Sequence, residues 1–146
     1  MQTFLPYKSF VSSAKVLDNK RLGKQRVETL QIMNALVLNV GWVNHPATNM
    51  WRGHEAALMT YQEVICDEWA IERGFNDTCL DKTAAVFHTL DDEKRLFSVP
   101  PWLGLKKFHS AHRANLLRKD PIHYGRFKWP EKPVEGYWWP TQEGVM

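Results

Sequence analysis

The chain has 146 residues, 44% of them apolar and 24% charged, with a formal net charge of +3. That length fits one domain spanning 1–146, and that balance excludes disordered, collagen-like and disulfide-scaffold classes. No apolar run approaches the roughly 20 residues that cross a bilayer, and the opening Met1-Gln2-Thr3-Phe4-Leu5-Pro6 lacks the basic-then-apolar order of a secretory signal, so the reading is a cytoplasmic protein with no membrane partner.

A first helix starts near Ser12, Ser13 or Asp18, all good N-caps, and runs towards Val40 before Gly41 stops it. Leu30, Met33 and Val37 recur at helical spacing, while Arg21, Lys24, Gln25, Glu28 and Gln31 line a polar face. Gly23 costs about 1 kcal/mol relative to alanine inside a helix and marks a close approach by backbone or ligand. Gly41 to Asn49 is a connection containing Asn44-His45-Pro46. A second helix runs from Thr48 or Asn49 to Arg73, with Leu58, Tyr61, Ile65 and Trp69 as its apolar stripe and Gly74 as its stop.

Leu80 to His88 forms a short helix, and Val99-Pro100-Pro101 ends the segment after it. A last helix spans Leu105 to Lys119 and closes before Pro121. Beyond it, Pro130, Pro133 and Pro140 alternate with Tyr124, Phe127, Trp129, Tyr137, Trp138 and Trp139. Disordered tails are poor in aromatics, so this one is read as an extended segment laid over the body. Strand signals are weak throughout. The expected fold class is mostly α, a compact single-domain helical fold with an extended aromatic-rich C-terminal segment.

Charge is segregated along the chain. Lys8 to Glu28 carries a net +4 and Lys106 to Lys132 a net +6, whereas residues 29 to 105 carry −5. If the two basic segments share a face, that face suits a phosphate backbone; if they never meet, they are two solvated helix faces. Cys66 and Cys79 have neither the number nor the spacing of a disulfide framework or zinc site and are read as reduced thiols.

Four constellations could carry chemistry. Beyond Asp18, Glu28 is the lone acid beside Lys15, Lys20, Arg21, Lys24 and Arg26. A surface ion pair explains it cheaply, at about 0.2–0.5 kcal/mol. A carboxylate inside a phosphate-binding face is otherwise repelled, so stabilising a cationic sugar is a further reason for its presence. The N-terminus is the second. A free α-amino group ordinarily titrates at about 7.7–8.0, so at physiological pH a fraction is the neutral nucleophile that imine chemistry needs. Phe4 and Leu5 equally well serve as plain core anchors.

The third is the stretch Lys106 to Lys119, which combines His109, His112, Arg113, Arg118 and Lys119. A phosphate-contacting helix, solvated charge and an H-x-x-H metal pair all fit this pattern, and the cationic surroundings count against a metal. The fourth is the aromatic tail, where Trp138, Trp139 and Tyr124 either stack on an unpaired base or cover a core. No phosphate-binding glycine loop, nucleophile elbow or H-E-x-x-H is present.

The run Leu17-Asp18-Asn19-Lys20-Arg21-Leu22-Gly23-Lys24-Gln25-Arg26-Val27-Glu28, followed by Gly41-Trp42-Val43-Asn44-His45-Pro46, resembles the pyrimidine-dimer DNA glycosylase family, the endonuclease V type of dimer glycosylase. Met50 to Glu55, Cys66 to Trp69, Pro100 to Gly104 and His112 to Pro121 extend the resemblance to nearly the whole chain, within a bacterial and phage branch. The resemblance implies an all-α, metal-free and cofactor-free monomer that flips a nucleotide from double-stranded DNA, attacks C1′ with its N-terminal amine, and nicks the strand by β-elimination. Leu17, Leu22 and Glu28 fall in register with the family's first helix, so Glu28 matches the catalytic acid and Met1 supplies the amine.

Arg21, Lys24, Arg26, His109, His112, Arg113, Arg118 and Lys119 are then expected at phosphates, and His45 either orients the flipped nucleotide or is a structural loop histidine before Pro46. Family members expose a small residue after methionine removal. Gln2 is too large for that, which leaves Met1, Lys20 or Lys24 as the amine and leaves the lesion open between a dimer and another damaged or modified base. The competing readings are a non-catalytic DNA-binding protein using the same basic face, and a metal-dependent nuclease built on His109, His112 and His45.

Overall fold

The computed structural model describes residues 1–140, and the expected tail's last stretch, 141–146, lies outside them. The mostly α reading holds. The helices are α1 (Phe10–Val16), α2 (Asn19–Leu38), α3 (Pro46–Trp51), α4 (Glu55–Asp67), α5 (Cys79–Phe87), α6 (Lys106–Lys119) and α7 (Pro121–Gly125). A π-helical turn at Glu68–Glu72 extends α4, and a 3₁₀ turn at Asp92–Arg95 follows α5. No strand occurs among the described residues.

Of the three starts expected for the first helix, Asp18 is the N-cap of α2, whereas Ser12 and Ser13 lie inside a separate helix, α1. Ser9 caps α1 by accepting from the Ser12 amide at 3.1 Å. Leu17 then turns extended and buries its side chain. Asp18, also extended, wraps around the Tyr124 hydroxyl, which accepts from the Asp18 amide at 3.0 Å and donates to the Asp18 carboxylate. The expected second helix also breaks, at Arg52 and Gly53. Gly53 has φ +86°, a backbone conformation that side-chain-bearing residues rarely adopt. The sequence reading missed α7, where Pro121 sits in the first turn and Asp120 caps by accepting from the His123 amide at 3.0 Å.

Gly23 answers a packing need. A β-carbon there would lie 3.0 Å from the Trp69 ring, so glycine lets the indole from the π-helical turn approach α2 closely. Phe75 stacks on the same ring at 4.4 Å, and Trp69 Nε1 donates to the Asn76 carbonyl at 2.9 Å. From the end of that turn, Arg73 reaches the Ala14 and Lys15 carbonyls at 3.1 and 3.2 Å and satisfies the open end of α1.

The core gathers Leu22, Ile32, Met33, Leu58, Ile65, Phe108 and Leu116 around Trp51, Tyr61 and Trp102. Trp51 and Trp102 meet edge to face at 4.8 Å, and each buried indole N–H finds an acceptor, Thr3 Oγ1 at 3.0 Å and the Met50 carbonyl at 2.8 Å. The aromatic tail lies over the body as expected as far as it is described. Trp129 stacks on Tyr124 and Phe127 and donates to the Tyr7 hydroxyl at 2.8 Å. Arg113 clamps the tail through a two-pronged pair with Glu131 at 2.9 and 2.8 Å, and Asn115 donates to the Gly136 carbonyl at 2.8 Å. Among the described residues, no helix is long and apolar enough to cross a membrane.

Candidate active site

The N-terminus is threaded through the core. Gln2, Thr3, Phe4, Leu5 and Pro6 are all buried, in an extended segment that makes no helix or sheet. Buried backbone groups need partners, and here side chains supply them. The Phe4 amide donates to Gln25 Oε1 at 2.8 Å, and the Tyr61 hydroxyl donates both to that oxygen and to the Phe4 carbonyl, each at 2.9 Å. Burial first, then the charge of Glu28, holds the Tyr61 hydroxyl well above its ordinary pKa, so it stays a donor.

The Leu5 amide donates to His112 Nδ1 at 2.8 Å, and the Leu5 carbonyl sits 2.8 Å from His109 Nδ1. The Gly104 amide donates to His109 Nε2 at 2.9 Å, so the His109 proton is on Nδ1 and points at Leu5. Arg113 closes the run by donating to the Pro6 carbonyl at 2.8 Å.

This anchoring delivers the chain end to Glu28. Glu28 Oε2 accepts from the Gln2 amide at 3.2 Å, and Met1 lines the same cavity of about 270 Å³. Lys20, Arg21, Lys24, Lys119, Gln25 and Tyr137 complete its wall. Glu28 and Met1 therefore share one pocket rimmed by cations from α2 and α6. A larger concavity of about 620 Å³ lies between α6 and the tail, but it shares only Tyr137 with this one and contains neither Met1 nor Glu28.

The expected DNA-contact residues divide. Lys24 and Lys119 line the cavity, Lys119 with its ammonium 5.7 Å from the centre of the Tyr137 ring. Arg21 lines it too, while pairing with Asp18 at 3.1 Å. Burial opposes the Asp18 carboxylate, but the Tyr124 hydroxyl and Arg21 outweigh it and hold its pKa below the ordinary range. Arg118 is exposed beside Lys119 on α6.

Four residues are not where a phosphate contact would be. His109 and His112 are only 6% and 2% exposed and are committed to the Leu5 backbone. Burial pushes His112 down to about 3, with His109 contributing, and burial also lowers His109, so both rings are neutral. Arg26 pairs with Asp77 at 2.6 Å and lies over Trp69 at 4.4 Å. Arg113 is spent on Glu131 and Pro6.

Gln25, placed on the polar face by its spacing, is buried as the acceptor for Phe4. Tyr124, considered for base stacking, is fully buried against Asp18. No set of three or more His, Cys, Asp or Glu side chains converges on a metal-sized site among the described residues; of the three histidines of the nuclease reading, His109 uses both ring nitrogens on backbone groups, and His112 and His45 each use Nδ1.

His45 is not part of the cavity wall and is linked to it through Trp139, which packs on Tyr137 at 5.5 Å. Its Nδ1 accepts from the Ala47 amide at 3.0 Å and so caps α3, and its ring is edge-on to Trp42 at 5.7 Å and to Trp139 at 5.6 Å. Burial, then the positive charge of the chain terminus, lowers its pKa, with Glu28 opposing. Gln25, Tyr61 and Tyr137 are site residues that the sequence reading missed. Only Gln25 had a visible signal, one helical turn before Glu28.

Fold and site together define a small helical protein whose buried N-terminus ends in a cation-rimmed carboxylate pocket. Residues 1–83, more than half of the chain, match the family described as pyrimidine dimer DNA glycosylase, and the chain belongs to that family. The matched span contains Met1, Glu28 and His45 and stops before α6. No curated protein and no solved structure matches the chain.

Proposed function

We propose that this family member is a DNA glycosylase with abasic-site lyase activity, acting on pyrimidine dimers or another damaged or modified base in double-stranded DNA. The observation that carries the reading is the shared pocket of Met1 and Glu28 under Lys20, Arg21, Lys24 and Lys119. The neutral terminal amine attacks C1′ of the flipped nucleotide. A carbon–nitrogen bond forms there, the glycosidic bond breaks, and the base leaves with the bonding electrons. The sugar ring then opens to an imine, and loss of a C2′ proton expels the 3′ phosphate by β-elimination. Glu28 stabilises the cationic sugar and iminium and moves these protons. The lysines and arginine hold phosphates on either side of the flipped nucleotide.

The deciding experiment is borohydride trapping of untagged protein on DNA with an abasic site and on DNA with a thymine dimer. A covalent adduct on the N-terminal peptide, at Met1, is the expected result, and an adduct on the peptide carrying Lys20 or Lys24 would move the amine there. Binding of both DNAs with no adduct on either would replace this reading with the non-catalytic DNA-binding one.

A further inference from the structure

His45, linked to the pocket through Trp139 and Tyr137, has a ring that is not fully committed. Its Nδ1 is an acceptor, because the Ala47 amide donates to it at 3.0 Å. A neutral imidazole carries one proton, so that proton is on Nε2. Nε2 lies on the opposite edge of the ring from the helix cap and has no hydrogen-bond partner among the described residues. Edge-on contacts with Trp42 and Trp139 fix the ring plane. The same burial and terminal charge that lower the ring's pKa keep it neutral at physiological pH. A histidine used only to cap α3 has no need of a second, unpartnered nitrogen, and this ring feels the charges of the chain terminus and Glu28 and touches Trp139, which in turn packs on the Tyr137 wall of their cavity.

We propose that His45 is a catalytic hydrogen-bond donor whose Nε2–H binds the carbonyl oxygen of the departing pyrimidine, next to the glycosidic nitrogen. This rests on the glycosylase reading above. As the amine closes on C1′ and the glycosidic bond opens, the electron pair moves onto the base and spreads to that oxygen. The Nε2–H stabilises this charge without giving up its proton. The proton that the departing base finally takes is the one shed by the newly bonded amine, so His45 is neutral before and after the step. A neutral imidazole suits this work, because an imidazolium would repel the cationic sugar formed in the same step.

The test separates base release from strand cleavage. Asparagine at position 45 still caps a helix, since its side-chain oxygen accepts from the first-turn amides, but it is too short to replace Nε2–H. His45→Asn is compared with wild type on dimer-containing DNA and on DNA with a preformed abasic site, where no base remains to leave. Loss of one such donor costs on the order of 10²–10³ in rate. The expected result is that loss in base release with abasic-site cleavage within a few-fold of wild type. Equal losses on both DNAs, or unchanged base release, overturn the proposal. Base release is read as free pyrimidine after photoreversal, because the cyclobutane ring otherwise tethers the detached base to its neighbour; wild type that releases none then overturns the substrate assignment underneath the proposal instead, and the comparison of the two proteins tells these failures apart.

Discussion

Glu28 accepts a hydrogen bond from the backbone nitrogen of Gln2 at 3.2 Å, across 26 residues of sequence. The contact ties the middle of α2 to the first peptide bond of the chain. It also sets what a substitution can do. Glu28→Gln keeps an oxygen that can accept from Gln2 and removes only the charge. It is expected to leave the unfolding midpoint nearly unchanged and to lower single-turnover cleavage of abasic-site DNA by at least about 10², the lower range for one positioned acid–base group. Full turnover in this variant on every substrate that wild type cleaves would remove Glu28 from the mechanism.

The cations are expected to separate by their partners. Lys20 and Lys24 make no ion pair among the described residues and face the cavity. Alanine at either position should weaken binding to all duplexes alike and lower the slope of log K against log salt by about 1. Arg26→Ala and Arg113→Ala should behave differently, because each leaves a carboxylate, Asp77 or Glu131, without its pair. They should lower stability while leaving the salt slope near the wild-type value. Slopes measured by fluorescence anisotropy from low to moderate salt, beside urea unfolding, check both halves.

Tyr61→Phe tests the anchoring of the N-terminus. The variant keeps the ring and the bond from the Phe4 amide to Gln25, and it strips the Phe4 carbonyl of its donor. A buried carbonyl left unpaired costs about 1–3 kcal/mol, so urea unfolding should show a loss of that order. Because Tyr61 acts through the N-terminal segment and touches no substrate, trapping should fall in rate with no change in the salt slope of binding.

What the sequence made visible follows from the range of each interaction. The periodicity of Leu30, Met33 and Val37 is local, so α2 was legible. Asp18 was among the starts the sequence offered, but nothing local chose it over Ser12 and Ser13 or announced a separate α1, because the residue that holds Asp18 out of the helix is Tyr124, 106 positions away. Glu28 was legible because a single acid among cations is a local anomaly. His109 and His112 misled for the opposite reason. They sit among Lys106, Lys107, Arg113 and Arg118 and read as part of a phosphate-binding helix, whereas their rings turn inward to serve a segment 104 and 107 positions away. The need of Leu5 for partners exists only once the N-terminus is buried, and nothing near α6 in the sequence announces it.

That inward turn gives the protein a pH dependence of definite sign. The His112 pKa is pushed down to about 3 by burial, with His109 contributing, against about 6.5 in an unfolded chain. Below 6.5 the unfolded state binds a proton that the folded state refuses, so stability is full above 6.5 and falls as pH drops towards 3. The slope approaches about 1.4 kcal/mol per pH unit for one such group. His109, also lowered, adds in the same direction. The carboxylates of Asp18, Asp77 and Glu131 are held below their ordinary values and contribute their losses only below about pH 4.5. The interval from 6.5 to about 4.5 therefore reports His112 and His109 together with the partly buried His45, which is lowered too. His112→Asn offers an oxygen in place of Nδ1 for the Leu5 amide and cannot titrate, so its urea-unfolding free energy should fall less steeply across that interval, by about one proton's worth of slope. An unchanged slope would mean that His112 takes up its proton in the folded state and that the N-terminal segment moves to admit it.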